Sequence, residues 1–192
     1  MLRGIGDLRR LTIAGADGNL GSVGDGYFDD RSWSVRYLAV EADTWFPGGR
    51  VFIPPVFVRS SDSTTLRVAS SKAQVKVSSM VHTGDAHLQT ATVLMGYAME
   101  AEDGEIGHVK DVLVDDRVWA IRYLVVDTEK WWGGKTVLVS PEWLARVTWD
   151  ESKTLFCLVT ATDDTAGPRA LSRRLAGSAN PAGGQEAPGL PS

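Results

Sequence analysis

DGNLGSVGDGYFDDRSWSVRYLAV at positions 17–40 and DGEIGHVKDVLVDDRVWAIRYLVV at 103–126 are two versions of one segment, set 86 positions apart and identical at 13 of 24 positions. Two units of fixed period imply two copies of one small fold. The match runs on in both directions: Leu2 and Leu8 align with Leu88 and Leu94, and Pro55 aligns with Pro141. Between these points the first copy gains a residue near Pro47 and loses one before Pro55. The 192-residue chain therefore divides into a first unit over 1–80, a linker over 81–87, a second unit over 88–165 and a tail over 166–192. The tail is rich in Ala, Gly, Pro and Ser and is expected to be disordered, apart from a short helix at PRALSRRL. Units of about 80 residues bury only a modest share of their surface, so the two copies are expected to pair with each other or to build a homo-oligomer.

Within a unit the signals are those of strands. Positions 106–114 and 118–127 are rich in β-branched and aromatic residues, and the DDR between them supplies a turn, which predicts a β-hairpin; Asp29, Asp30 and Arg31 do the same in the first copy. Further short strands are expected at 135–140, 144–149 and 154–160, separated by GG, SPE and DES turns. Five or six short strands in so few residues predict an all-β class of two small barrels, since closure removes exposed edges. If Asp30 and Arg31 form the loop, Asp25 lies opposite Arg36 and Asp111 opposite Arg122. Such cross-strand pairs would be structural struts that fix register, each contributing about 0.2–1 kcal/mol.

At DGEIGHVKDVLVDD, WAIRYLVVDT and WWGGKTVLVSP the chain resembles the PRC-barrel domain, and the duplication resembles bacterial proteins with two such domains in tandem. The family is known from the cytoplasmic domain of the photosynthetic reaction centre H subunit and the C-terminal domain of the ribosome-maturation factor. The resemblance implies a small β-barrel that serves in docking or assembly, without a catalytic residue to carry over.

Composition narrows the function classes. The chain is 43% hydrophobic and 23% charged with a formal charge of −4, which gives no basic excess for nucleic acid. The longest apolar stretch, 91–99, is too short to cross a bilayer, and the N-terminal MLRGIGDLRRL carries no secretory pattern, so a cytoplasmic location is expected. Cys157, in TLFCLVT, reads as a small buried hydrophobe. The DGxxG glycines at 18, 21, 104 and 107 precede strands and read as tight turns with positive φ, not as phosphate loops. The acidic pairs Asp29–Asp30 and Asp115–Asp116 read as solvated hairpin tips and lack the spaced oxygen ligands of a calcium site. HTGDAH, with His82, Asp85 and His87, reads as a polar linker and lacks the ligand set of zinc. No catalytic residue, metal or cofactor is assigned. Trp45 and Phe46 before Gly48 and Gly49, and Trp131 and Trp132 before Gly133 and Gly134, are the candidates for protein interaction. Their rings either fold back on their own barrel, pack between barrels or subunits, or meet an external partner. The sequence reading is a non-enzymatic cytoplasmic adaptor that binds another protein. Its alternatives are an accessory of the photosynthetic reaction centre and a ribosome or RNA-processing assembly factor.

Overall fold

β-branched and aromatic residues write the long strands. In VRYLAV and IRYLVV one face carries Val35, Leu38 and Val40, or Ile121, Leu124 and Val126, and all six side chains are buried. The computed structural model describes residues 1–42, 44–46, 49–78, 85–101, 104–128, 135–149 and 153–157. The expected tail, the helix at PRALSRRL, and Trp131, Trp132 and His82 lie outside the described residues.

The first unit runs β1 (Leu2–Gly4), α1 (Ile5–Leu8), β2 (Thr12–Gly15), β3 (Gly18–Asp29), β4 (Ser34–Glu41), β5 (Arg50–Ile53), a 3-10 turn (Pro55–Phe57), β6 (Val58–Ser61), β7 (Thr65–Val68) and α2 (Lys72–Ser78). The second runs β8 (Leu88–Thr90), a 3-10 turn (Ala91–Leu94), β9 (Ala98–Ala101), β10 (Gly104–Asp115), β11 (Ala120–Thr128), β12 (Lys135–Val139), a 3-10 turn (Pro141–Trp143), β13 (Leu144–Val147) and β14 (Thr154–Cys157). Each unit arranges its strands alike, β5-β4-β3-β2-β7-β6 in the first and β12-β11-β10-β9-β14-β13 in the second, with one parallel pair, β2/β7 or β9/β14.

The all-β class holds, but the expected closed barrels do not. Among the described residues β5 does not pair with β6, nor β12 with β13. The 3-10 turn that joins each edge pair begins on proline, which has no N–H to donate to a ladder. α2 was not expected from strand-like patterning, although its signal stands in the sequence. Ser71 and Gln74 form a capping box: the Ser71 N–H donates to Gln74 Oε1 at 2.9 Å and the Gln74 N–H to Ser71 Oγ at 3.4 Å. The Lys72 N–H donates to the Asp17 carboxylate at 3.0 Å, and Val75 is buried.

The two units complete each other. β1 pairs with β10 of the second unit, Leu2 opposite Asp115, and β8 pairs with β3 of the first unit, Leu88 opposite Asp29. Both residues of the first pair shift by 86 positions, in opposite directions, to give the second, so the exchange is reciprocal about a pseudo-two-fold axis. At that axis β4 meets β11: the Val35 N–H donates to Trp119 O at 2.7 Å and the Ile121 N–H to Trp33 O at 2.8 Å. One hydrophobic core runs through both units, and Trp149 of the second unit packs 6.2 Å from the Phe28 ring of the first.

This exchange predicts how the chain responds to a cut. With a protease site placed in 79–84 and cleaved, the two fragments are expected to co-elute as one species under native conditions and to separate only in denaturant. Two independently migrating folded halves would contradict the reciprocal exchange.

Candidate functional site

Among the described residues, charges gather where the exchanged strands cross the hairpin tips. In the second unit Arg3 Nε donates to Asp116 Oδ2 at 2.7 Å, Arg3 Nη2 to Asp62 O at 2.8 Å and Ser61 Oγ to Asp116 Oδ2 at 3.0 Å. The Met1 amino group reaches Asp115 and Asp116. The side chain of Asp116 is only 4% exposed. Burial pushes its carboxyl up, but the hydrogen bonds from Arg3, Met1 and Ser61 outweigh that and hold it below the ordinary aspartate value. Asp115 is lowered in the same way, burial being outweighed by hydrogen bonds from Arg117 and the Met1 amino group.

In the first unit the place of Met1 is taken by His87. Its Nδ1 lies 3.0 Å from Asp30 Oδ1, and its Nε2 contacts Arg31 Nη2. Arginine can only donate, so Nε2 accepts and the proton sits on Nδ1. Asp29 closes the turn, accepting from the Ser32 N–H at 2.9 Å and the Arg31 N–H at 3.1 Å. Those bonds, the one from Ser32 first, lower its pKa. The acidic pairs are therefore not solvated tips, and the last residue of HTGDAH is not a free linker: each holds the strand that the other unit contributes.

The cross-strand struts are also corrected. Asp25 faces Ala39 and Asp111 faces Val125, because Asp29 pairs with Ser34, and the loop centres one residue later than expected. One register shift between the tip and the aspartate does the rest in each hairpin. Tyr27 faces Tyr37 while Phe28 faces Val35, and Leu113 faces Tyr123 while Val114 faces Ile121. Arg36 and Arg122 are thus the extra residues of β-bulges, which turn a side chain out of the ladder. The two aspartates serve the exchange instead: Asp25 accepts from the Thr92 N–H at 3.3 Å and from the Thr92 hydroxyl, and Asp111 accepts from the Ile5 N–H at 3.1 Å.

Between the units opens a polar cleft of about 390 Å³. Arg31, Ser32 and Trp33 come from the first hairpin tip, Ile121 and Arg122 from β11, and Ser140 to Glu142 from the turn before β13. Shifting by 86 gives the corresponding surface on the other side of the pseudo-two-fold. There Ser32, Ser140 and Glu142 are replaced by Val118, Pro54 and Val56. Val56 is 75% exposed, Val118 57% and Phe57 37%. One side of the junction is polar and the other apolar.

The strand order of the second unit, with its single parallel pair and proline turn, coincides with a family match: residues 98–154 fit the family model of the PRC-barrel domain. Residues 98–154 of the second unit are similar to the PRC-barrel domain. No curated protein matches the chain. The PRC-barrel is in general a non-catalytic domain, and no described helix is long and apolar enough to cross a membrane.

The sequence candidates fall into place unevenly. Trp45 and Phe46 fold back onto the first unit: Trp45 Nε1 donates to Leu20 O at 2.9 Å, the two rings lie 5.9 Å apart, and both are half-buried. Lys72 sits 5.8 Å from the Trp45 ring centroid. The pair that sequence reasoning overlooked is Trp33 and Trp119, which stand at the junction itself with positive φ of 55° and 53°. Their recurrence at the 86-residue period, at the end of each hairpin loop, was the available signal.

Proposed function

We propose that this chain is a non-catalytic docking module, two PRC-type units fused into one pseudo-symmetric body, whose task is to bind another protein. The observation that carries this reading is the apolar side of the junction, where Val56 and Val118 stand in water at positions that the other copy fills with Glu142 and Ser32, with the partly exposed Phe57 next to Val56 in the chain. Exposed apolar side chains gathered where the duplicate is polar are what an interaction surface requires. Binding there would bury apolar area at about 25 cal/mol per Å² before the cost of association. The fold-back of Trp45 and Phe46 moves the working surface from the aromatic loop of the first unit to this face.

The test is capture from native extract, identification of the bound protein, and reconstitution with that protein purified. A Val56→Asp, Val118→Asp double variant that keeps its fold is expected to weaken the reconstituted complex at least tenfold, about 1.4 kcal/mol. A complex that tolerates both charges would remove this face from consideration. The identity of the protein also separates a reaction-centre accessory from a ribosome assembly factor.

A further inference from the structure

The polar side of the junction carries a second, independent reading. Every copy of the hairpin has one arginine at the tip and one on the bulge, Arg31 with Arg36 in the first unit and Arg117 with Arg122 in the second. The pseudo-two-fold sorts them differently: Arg31 and Arg122 line the polar cleft, and Arg117 and Arg36 correspond to them on the apolar side. On that side both charges are answered locally, Arg36 by Asp29 at 3.5 Å and Arg117 by Asp115 at 3.4 Å. In the cleft neither is. Arg31 donates to the neutral Nε2 of His87, and Arg122 has no carboxylate within 4 Å among the described residues.

We propose that this cleft is a binding site for a small organic anion, whose phosphate or carboxylate oxygens are gripped by Arg31 and Arg122. Guanidinium forks match oxyanions through paired N–H donors, and here two forks come from different units into one opening. Ser32 and Ser140 add hydroxyl donors, while Trp33, Pro141 and Leu144 offer apolar wall for the carbon part of the ligand. Glu142, also on the wall, opposes the anion and leaves a net charge of one positive among the lining side chains. On a chain of net charge −4 that local excess focuses anions at the cleft and not over the surface. Bulges are frequent beside functional sites because they re-aim a side chain, as they do for Arg122.

Titration of the full-length protein at low salt with pyrophosphate in one series and succinate in another, followed by calorimetry, tests the site and tells phosphate from carboxylate. Saturable one-to-one binding of at least one probe is expected. Arg31→Gln and Arg122→Gln should each weaken it at least tenfold, Arg36→Gln and Arg117→Gln by less than twofold, and Glu142→Gln should tighten it about threefold. The four arginine variants are compared only where their melting curves match the parent. Failure of both probes to saturate overturns the proposal. So does equal weakening by the Arg36 and Arg117 controls, which would mean diffuse attraction, or binding that survives loss of Arg122. None of these outcomes bears on the apolar face, whose test uses Val56 and Val118.

Discussion

Replacement of Trp119 by alanine is expected to lower the unfolding free energy by about 3–5 kcal/mol, the range for truncating a buried tryptophan. The side chain is only 8% exposed. Its backbone stands at the junction between the two units. Its backbone adds a second signature. Trp119 has φ of 53° with its N–H donating to Asp115 O at 2.7 Å, and its carbonyl accepts from Val35 of the other unit. Alanine keeps that left-handed backbone strain, whereas glycine relieves it, by about 1 kcal/mol. Trp119→Gly should therefore be at least as stable as Trp119→Ala, the reverse of the usual order. Urea unfolding followed by far-ultraviolet circular dichroism measures both. A loss under about 1 kcal/mol for the alanine variant would show that the ring is not part of the shared core.

Gly107→Ala is expected to cost about 2–4 kcal/mol, among the larger effects for so small a change. Gly107 has φ of 155° at the bulge where β10 leaves the register of β9, and a Cβ there would overlap the Asp127 carbonyl on β11. Relief would require the two central strands of the second unit to part. Gly21 repeats the arrangement against the Glu41 carbonyl, with φ of 130°, and its alanine variant should lose a similar amount. Gly6 is the contrast. It lies in α1 with open space around its Cα, so Gly6→Ala should be neutral or stabilise by up to about 1 kcal/mol. Chemical denaturation of the three variants side by side decides the matter, and equal effects at Gly6 and Gly107 would contradict the close strand approach.

These two sites mark where sequence reading succeeds and where it stops. The positive φ of the DGxxG glycines was legible in the sequence, although Gly21 and Gly107 lie at bulges inside β3 and β10 and not in the turns before them, and the hairpin strands were legible from their β-branched and aromatic content. The hairpin register was not. Counting outward from DDR assumes one residue opposite one, and the bulge at Arg36 or Arg122 breaks that count in its hairpin. Nothing in a single strand announces that its extra residue will be the arginine. The acidic tips were misread because their partners, Arg3 and His87, arrive from the opposite unit. A local pattern cannot show which copy of a repeat will supply the neighbour. The cleft was hidden for a related reason: its two arginines lie 91 positions apart and become one feature only through the pseudo-two-fold.

The exchange of β1 and β8 also sets an order on synthesis. As the chain emerges, Leu2–Gly4 has nothing to pair with until Gly104–Asp115 has been made, and β3 lacks its outer neighbour until Leu88–Thr90 appears. At 5–20 residues per second, the wait for about 100 residues is on the order of ten seconds. Until Leu88–Thr90 emerges, the first unit also has its Asp29–Asp30 tip uncovered. A nascent chain in this condition offers the same open edge to any neighbouring copy on the same message, and the short span between the two units is what makes its own second half the faster partner.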